Sequence, residues 1–165
     1  MSLRLILMRH AKSSWGDPTL DDHQRVLNGR GRRSAEAVGG WLKRESIIPD
    51  QMLVSSAART KETSEHLNME AKTAILDALY LASPGVMLDI LKQASGHCVL
   101  MLGHNPGTAW LARDLVAKPP QHHRFNDYPT CATLVVDFDI EEWRDLKPGT
   151  GTVVDFVTPR ELDGT

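Results

Sequence analysis

Cysteine, aromatic residues and net charge are all scarce in this sequence. Its 165 residues include two cysteines, Cys98 and Cys131, which lie far apart in the chain. A disulfide framework needs more cysteines and a secretory signal, so we expect both to be buried, reduced thiols within apolar runs. The formal net charge is −2. So weak a charge provides no global field that would attract nucleic acid or an acidic membrane surface.

Long hydrophobic runs are also missing. The apolar start, residues 1–8, ends at Arg9 and His10, so it is too short for a signal sequence and far too short to span a bilayer. The four tryptophans are scattered, which argues against a stacking surface for nucleic acid and favours packing in the core and loops. We therefore expect a cytoplasmic protein whose partners include neither nucleic acid nor a membrane.

Short apolar runs alternate with helical patterns through the first two thirds of the chain. Continuous apolar runs predict buried strands at residues 3–8, 52–54 and 99–102. Two segments of period two, 131–138 and 153–157, follow each other without a clear helix and predict an antiparallel edge. The whole pattern predicts a three-layer α/β sandwich with a mainly parallel central sheet. We expect residues 1–165 to form a single domain and the protein to be a monomer.

Helix starts are predicted from capping chemistry. The expected starts are caps at Asn28, Ser56 and Asn105, and a proline at position 84, with Pro106 as the first residue of the last helix. Residues 118–129 contain three prolines and two adjacent histidines, which is typical of a loop. The tail, residues 159–165, is expected to be frayed.

Charged and polar side chains follow three of the predicted strands. The first strand runs into Arg9 and His10, the second is followed by Arg59 in the first turn of a helix, and the third by His104 and Asn105. Ligands of open α/β sheets bind beyond the carboxyl ends of the strands. We therefore expect these side chains to share one crevice.

Such a crevice suits a phosphoryl group. Guanidinium groups bind phosphate oxygens in bidentate fashion, and helix N-termini near Arg59 and His104 favour an anion. One imidazole can act as nucleophile and the other as donor, without a metal ion. Alone, Arg59 could be a solvated helix residue and His104 a buried, hydrogen-bonded histidine. Convergence at three strand ends favours an anion site, because unpaired buried charges cost free energy.

Four segments carry a recognisable signature. In chain order they are LMRHAKS at 7–13, DHQRVLNGRG at 22–31, SSAAR at 55–59 with Thr63, and GHNPG at 103–107. Together they resemble the histidine phosphatase superfamily, which is also called phosphoglycerate mutase-like. RHAKS, where the wider superfamily has RHG, is similar to the SixA-type branch of phosphohistidine phosphatases. The resemblance implies a phosphoglycerate mutase-like fold and a phosphatase without a cofactor.

The resemblance implies a role for each matched residue. His10 would be the phosphorylated nucleophile, and Arg9, Arg59 and His104 would complete the phosphate pocket. Ser13 matches a hydroxyl near the phosphate in many relatives.

Other residues are matched less closely. Asp22 and Arg25 match a segment that organises the loop over the site, and we expect structural roles by default. We group both with Ser13 and Asn105 as substrate-binding residues. The wider superfamily takes its general acid from a carboxylate after the third strand, where Asp77 is the nearest candidate.

Several functions remain open at this point. The substrate could be phosphohistidine or another phosphorylated protein residue, or a small phosphorylated molecule, and a phosphate-binding module without turnover is the alternative of a different class. A mutase is disfavoured, because it must hold two phosphates and we expect no second basic cluster. His23 could touch the substrate. His122 and His123 are adjacent, and neighbouring residues rarely point at one metal, so we expect no metal site there.

Overall fold

A mixed sheet of six strands forms the centre of the protein in the computed structural model, which describes residues 2–163. The strands are β1 Leu3–Arg9, β2 Gln51–Ser55, β3 Lys72–Leu76, β4 Cys98–Gly103, β5 Thr133–Phe138 and β6 Thr152–Val157. Their order in the sheet is β3-β2-β4-β1-β5-β6. The first four run parallel, whereas β5 is antiparallel to both β1 and β6. The predicted parallel sheet with an antiparallel edge is confirmed.

Within residues 2–163, five α-helices cover the sheet on both faces. They are α1 Gly29–Arg44, α2 Ala58–Leu67, α3 Pro84–Leu91, α4 Gly107–Leu115 and α5 Pro159–Asp163. Side chains of α1, α2 and α5 pack in one apolar cluster, and those of α3 and α4 pack in the other. The three-layer α/β sandwich predicted from the sequence is therefore confirmed.

Strand β1 shows why the buried strands appear in the sequence as nearly continuous apolar runs. Leu5 and Leu7 pack into the cluster of α3 and α4, while Ile6 and Met8 pack into the cluster of α1 and α2. All four are fully buried. A strand covered by helices on both faces needs apolar residues at every position, and so it lacks the alternation of a half-exposed strand.

Two helix starts differ from the predictions. The N-cap of α2 is Ala57, and the Ser56 hydroxyl instead contacts the ring of His23. Helix α4 begins at Gly107 with Pro106 as its N-cap, and Asn105 is not the cap. The Asn105 side-chain NH2 donates to the carbonyls of loop residues 127 and 128, while its Oδ1 accepts from the Ala109 amide in the first turn of α4 at 3.3 Å. A tertiary contact therefore takes the Ser56 side chain away from the helix end, whereas Asn105 still bonds to the helix from the residue before the N-cap.

Three smaller expectations were also wrong. Residues Pro159–Asp163 form α5 rather than a frayed tail, and positions 164 and 165 lie outside the described residues. Cys131 is a buried free thiol as expected, but Cys98 is only half-buried. Strand β3 was missed, because this edge strand is largely exposed and has no continuous apolar run.

Within residues 2–163, none of the helices combines the length and apolar character that a bilayer crossing requires.

Candidate active site

The candidate site is a pocket of about 260 Å³ at the carboxyl ends of β1, β2 and β4. The structure brings together all four residues that the sequence placed in one crevice, Arg9, His10, Arg59 and His104. Ser13, Arg25 and Asn105 line the same pocket, together with residues that the sequence analysis did not single out. These are Lys12, Trp15, Leu81 and Thr130.

His10 is held by backbone contacts on both sides. Its amide donates to Gly103 O on the neighbouring strand at 3.1 Å, and its own carbonyl accepts from the Cys131 amide at 2.9 Å. The next residue, Ala11, donates its amide to Thr63 Oγ1 at 3.0 Å. These bonds fix the chain just beyond β1, so the imidazole is carried by a rigid strand end.

One hydrogen bond sets the tautomer of His10. Nδ1 lies 2.7 Å from the carbonyl oxygen of Ala11, and because a carbonyl can only accept, Nδ1 must carry the hydrogen. Burial, with the charges of Arg9 and Arg59 nearby, lowers the pKa of His10 to about 3. At neutral pH the ring is therefore uncharged, and Nε2 holds a free lone pair.

His104 is neutral as well, and both of its ring nitrogens have partners. Nδ1 lies 3.3 Å from a terminal nitrogen of Arg59, which can only donate, so Nε2 carries the hydrogen and contacts Ser55 Oγ at 2.7 Å. Burial and the charge of Arg59 lower the pKa of His104 to about 3. In this arrangement His104 orients the Arg59 guanidinium.

Arg9 and Arg59 concentrate positive charge beside His10. Arg59 is 3 % exposed, and burial and the nearby charge of Arg59 lower the pKa of Arg9. Among residues 2–163, the Nε atoms of both side chains are buried without a hydrogen-bond partner. Buried cationic groups with unmet hydrogen-bonding capacity are rare and unfavourable, so an anion bound in the pocket would offset the charge of both guanidinium groups.

Asp22 lies behind the pocket rather than in its lining. Its carboxylate accepts hydrogen bonds from Tyr80 at 2.5 Å, from Arg59 at 3.0 Å and from Arg25 at 3.1 Å. These donors hold the pKa of its carboxyl group well below the usual range. Asp22 is therefore an anion that orients two guanidinium groups. Tyr80, which the sequence analysis missed, has no motif signal and reaches Asp22 from the turn after β3.

Arg25 connects the loop between β1 and α1 to the pocket. It donates to Ser13 Oγ at 2.6 Å and to Asp22, and its guanidinium lies 3.6 Å from the ring centroid of Trp15. Trp15 is 77 % exposed. The expectation that the tryptophans pack in core and loops holds for Trp41 and Trp143, which are buried, but not for Trp15 at the pocket mouth or for Trp110 on α4, which is 48 % exposed.

Two other predicted residues lie away from the pocket lining. Asp77 is exposed, in the 3₁₀ turn Asp77–Leu79 that follows β3. His23 contacts Ser56 Oγ through Nε2 at 2.9 Å and packs edge-on against Tyr80.

His122 and His123 stack on each other, and His122 pairs with Glu161. Within residues 2–163, no three or more His, Cys, Asp or Glu side chains are grouped so as to hold a metal ion.

The geometry describes an α/β protein with a neutral imidazole facing a cluster of guanidinium groups at the sheet edge, as phosphoryl transfer requires. Comparisons with known proteins agree. Residues 5–79 match the sequence profile of the histidine phosphatase superfamily, branch 1. An uncharacterised protein of Mycobacterium tuberculosis is 32% identical over 160 residues, which cover 93% of this chain and all of the relative. The chain belongs to the histidine phosphatase superfamily.

Comparison with solved structures supports the resemblance of this chain to the SixA-type branch. The putative phosphohistidine phosphatase SixA of Agrobacterium tumefaciens is 25% identical with a TM-score of 0.76, covering 95% of this chain and 99% of that one. The corresponding protein of Nakamurella multipartitia has a TM-score of 0.83 at 24% identity, covering 96% and 97%. These matches confirm the phosphoglycerate mutase-like fold and the SixA-type resemblance. Family and site together make the chain a phosphatase of the histidine type.

Proposed function

We propose that this protein is a metal-independent, cytoplasmic phosphatase that hydrolyses phosphohistidine, or another phosphorylated residue of a protein, through a phosphoryl group carried on His10. The bond from His10 Nδ1 to the Ala11 carbonyl is the observation that carries the proposal. It leaves Nε2 as a neutral nucleophile at the wall of a cationic pocket, which is what an in-line attack on phosphorus needs.

The reaction would proceed in two displacements. In the first, His10 Nε2 forms a bond to phosphorus while the bond from phosphorus to the leaving group breaks. The guanidinium groups of Arg9 and Arg59 would hold the charged phosphoryl oxygens. Neutral His104 would keep Arg59 oriented, because its Nδ1 accepts from that guanidinium. In the second, water attacks phosphorylated His10, inorganic phosphate leaves and the neutral imidazole returns.

The charge of the pocket favours a phosphoramidate substrate. Among the described residues that line the pocket there is no aspartate or glutamate, and Asp22 is held as an anion by three donors. When an alkyl phosphate is hydrolysed, its leaving group is a poor one, an alkoxide, and needs a general acid to protonate it. The imidazole of phosphohistidine can leave as a neutral ring after protonation in solution, so it depends less on an acid from the protein.

The pocket mouth favours a macromolecular substrate. Trp15 and Leu81 lie at its rim, and they are 77 % and 56 % exposed. Exposed apolar side chains beside a catalytic pocket are typical of a surface that a partner covers. A phosphorylated protein would cover both side chains, whereas a small metabolite would leave them in water.

The test is turnover in the presence of EDTA. The protein should hydrolyse a phosphohistidine peptide and p-nitrophenyl phosphate, with the peptide preferred over serine phosphate and a panel of sugar phosphates. His10→Asn should abolish turnover of every substrate. His97→Ala, which removes an exposed histidine outside the pocket, is the matched control and should retain it. Binding of phosphate without turnover would instead identify a binding module, and strict dependence on a divalent ion would contradict the proposed mechanism.

A further inference from the structure

A second cationic cleft lies beside the pocket. It has a volume of about 270 Å³ and is lined by side chains from four parts of the chain. Among the residues that the structure describes, the charged groups in its lining are Lys12, Arg30, Arg124 and Arg160, with His123 and one carboxylate, Glu161. The sequence analysis expected no second basic cluster, and that expectation was wrong because these residues are remote in sequence and meet only in the folded chain.

The two cavities are neighbours. Lys12 and Thr130 line both of them. Lys12 is two residues after His10, and two residues of chain span at most about 7 Å. A phosphoryl group held on His10 would therefore lie no farther from the cleft than the length of a few residues of an extended peptide.

The carboxylate in the cleft lining, that of Glu161, already has hydrogen-bond partners. Glu161 accepts from His122 Nε2 at 2.6 Å and from the Thr158 amide and hydroxyl at 3.0 Å each. Arg124 is paired with Asp127 outside the cleft lining. Lys12 and Arg30 are both exposed. Lys12 and Arg30 therefore give the cleft positive charge that faces solvent.

The charged side chains of the pocket and of the cleft differ in burial, and this difference indicates which kind of anion the cleft would bind. In the catalytic pocket, Arg59 is buried and its Nε has no partner, as a desolvated phosphate requires. In the cleft, Lys12 and Arg30 are exposed and Arg124 is half-buried. Exposed charges spread over a groove attract an extended chain of carboxylates more effectively than a second enclosed phosphate.

We propose that this cleft binds acidic residues that flank the phosphorylated residue of a protein substrate, and so selects substrates with an acidic neighbourhood. The inference rests on the proposed function of the adjacent pocket and adds the sequence context of the substrate. Since an extended chain advances 3.3–3.6 Å per residue, the acidic residues would lie about two to four positions from the phosphorylated one.

Synthetic peptides with one phosphohistidine test this directly. One peptide carries Glu and Asp at two to four positions on either side, and its partner carries Gln and Asn there. We expect kcat/KM to be about tenfold higher for the acidic peptide, the sum of two or three exposed charge pairs. The preference should shrink when the ionic strength rises from about 0.05 to 0.5 M, since salt screens exposed charges.

Two variants assign the preference to the cleft. Arg30→Glu should lower the ratio of the two kcat/KM values to about one or below, and Arg124→Gln should lower it in part. Arg30 is in the first turn of α1, where an acidic side chain is tolerated. Arg33→Glu makes the same charge change on an exposed residue of the same helix outside the cleft lining, and it should keep the wild-type ratio.

Each outcome has a clear meaning. Equal turnover of the two peptides, or a preference that Arg30→Glu leaves intact or that Arg33→Glu reduces equally, would overturn this inference alone. A preference for a small bisphosphate over both peptides would assign the cleft to a second phosphate and also overturn it. Failure to hydrolyse any phosphohistidine peptide would overturn the proposed function, and the present inference with it.

Discussion

His10 and His104 are neighbours because the residues before them are register partners. Arg9 on β1 pairs with Gly103 on the parallel strand β4, and the two imidazole centroids lie 5.2 Å apart. Each histidine is the first residue after its strand, so adjacent parallel strands deliver both rings to the same side of the sheet edge. The proximity of the two histidines is thus a consequence of sheet register rather than of loop conformation.

Removing the His104 ring should slow turnover without preventing phosphorylation of His10. His104→Ala removes one of the two acceptors at a terminal nitrogen of Arg59 and leaves Asp22 as the other, and loss of one electrostatic group of this kind commonly reduces kcat by about 10²–10³. Steady-state kinetics with p-nitrophenyl phosphate would measure the change. A His104→Ala enzyme within threefold of the wild type would rule out this role, and His97→Ala should be indistinguishable from the wild type.

A methyl group at position 31 should disturb the segment that follows His10. The Cβ of an alanine at this position would overlap the backbone carbonyl of Lys12. We expect Gly31→Ala to lower the free energy of unfolding by about 1–3 kcal/mol and to reduce kcat as well. Urea unfolding and turnover measured on the same preparation would report both effects.

Gly40→Ala is the matched control on the same helix. Its new Cβ would meet only the flexible end of Arg44, at 3.3 Å. Replacing a helical glycine where there is space stabilises by about 0.4–1 kcal/mol, so this variant should be as stable as the wild type or more so. Destabilisation of both variants to the same degree would mean that the contact with Lys12 is unimportant.

The two buried histidines should make the protein less stable in mild acid. Their pKa values are lowered to about 3 in the folded state, while an unfolded histidine titrates near 6.5. Below pH 6.5 the unfolded chain binds protons that the folded chain does not. Stability is therefore lost as pH falls towards 3, by up to about 1.4 kcal/mol per pH unit for each histidine.

Urea unfolding at pH 7.5 and pH 5.0 would measure this loss. His10→Asn should lose about 2 kcal/mol less than the wild type between these two pH values, since one titrating group is gone. His97→Ala is expected to follow the wild type. An identical pH dependence in wild type and His10→Asn would show that His10 is not held neutral by the fold.

The sequence predicted the sheet and the four central site residues because their signals are local. Buried strands such as β1 appear as apolar runs, and the residues just after them must lie at the sheet edge. Ser56 was misassigned as a cap because its partner, His23, is remote in sequence. The Asn105 side chain does bond to the first turn of α4, but its contacts with the backbone of loop residues 127 and 128 have no local signal. Tyr80 and the cationic cleft were missed for the same reason.

The most direct test of the central claim is to trap the phosphoryl group on His10. The wild-type enzyme would be mixed with labelled phosphohistidine peptide, quenched within milliseconds under alkaline denaturing conditions, and digested for mass spectrometry. The account predicts one phosphorylated peptide containing His10, with an acid-labile and base-stable modification, and none in His10→Asn. Label on a serine, or full turnover by His10→Asn, would contradict the account.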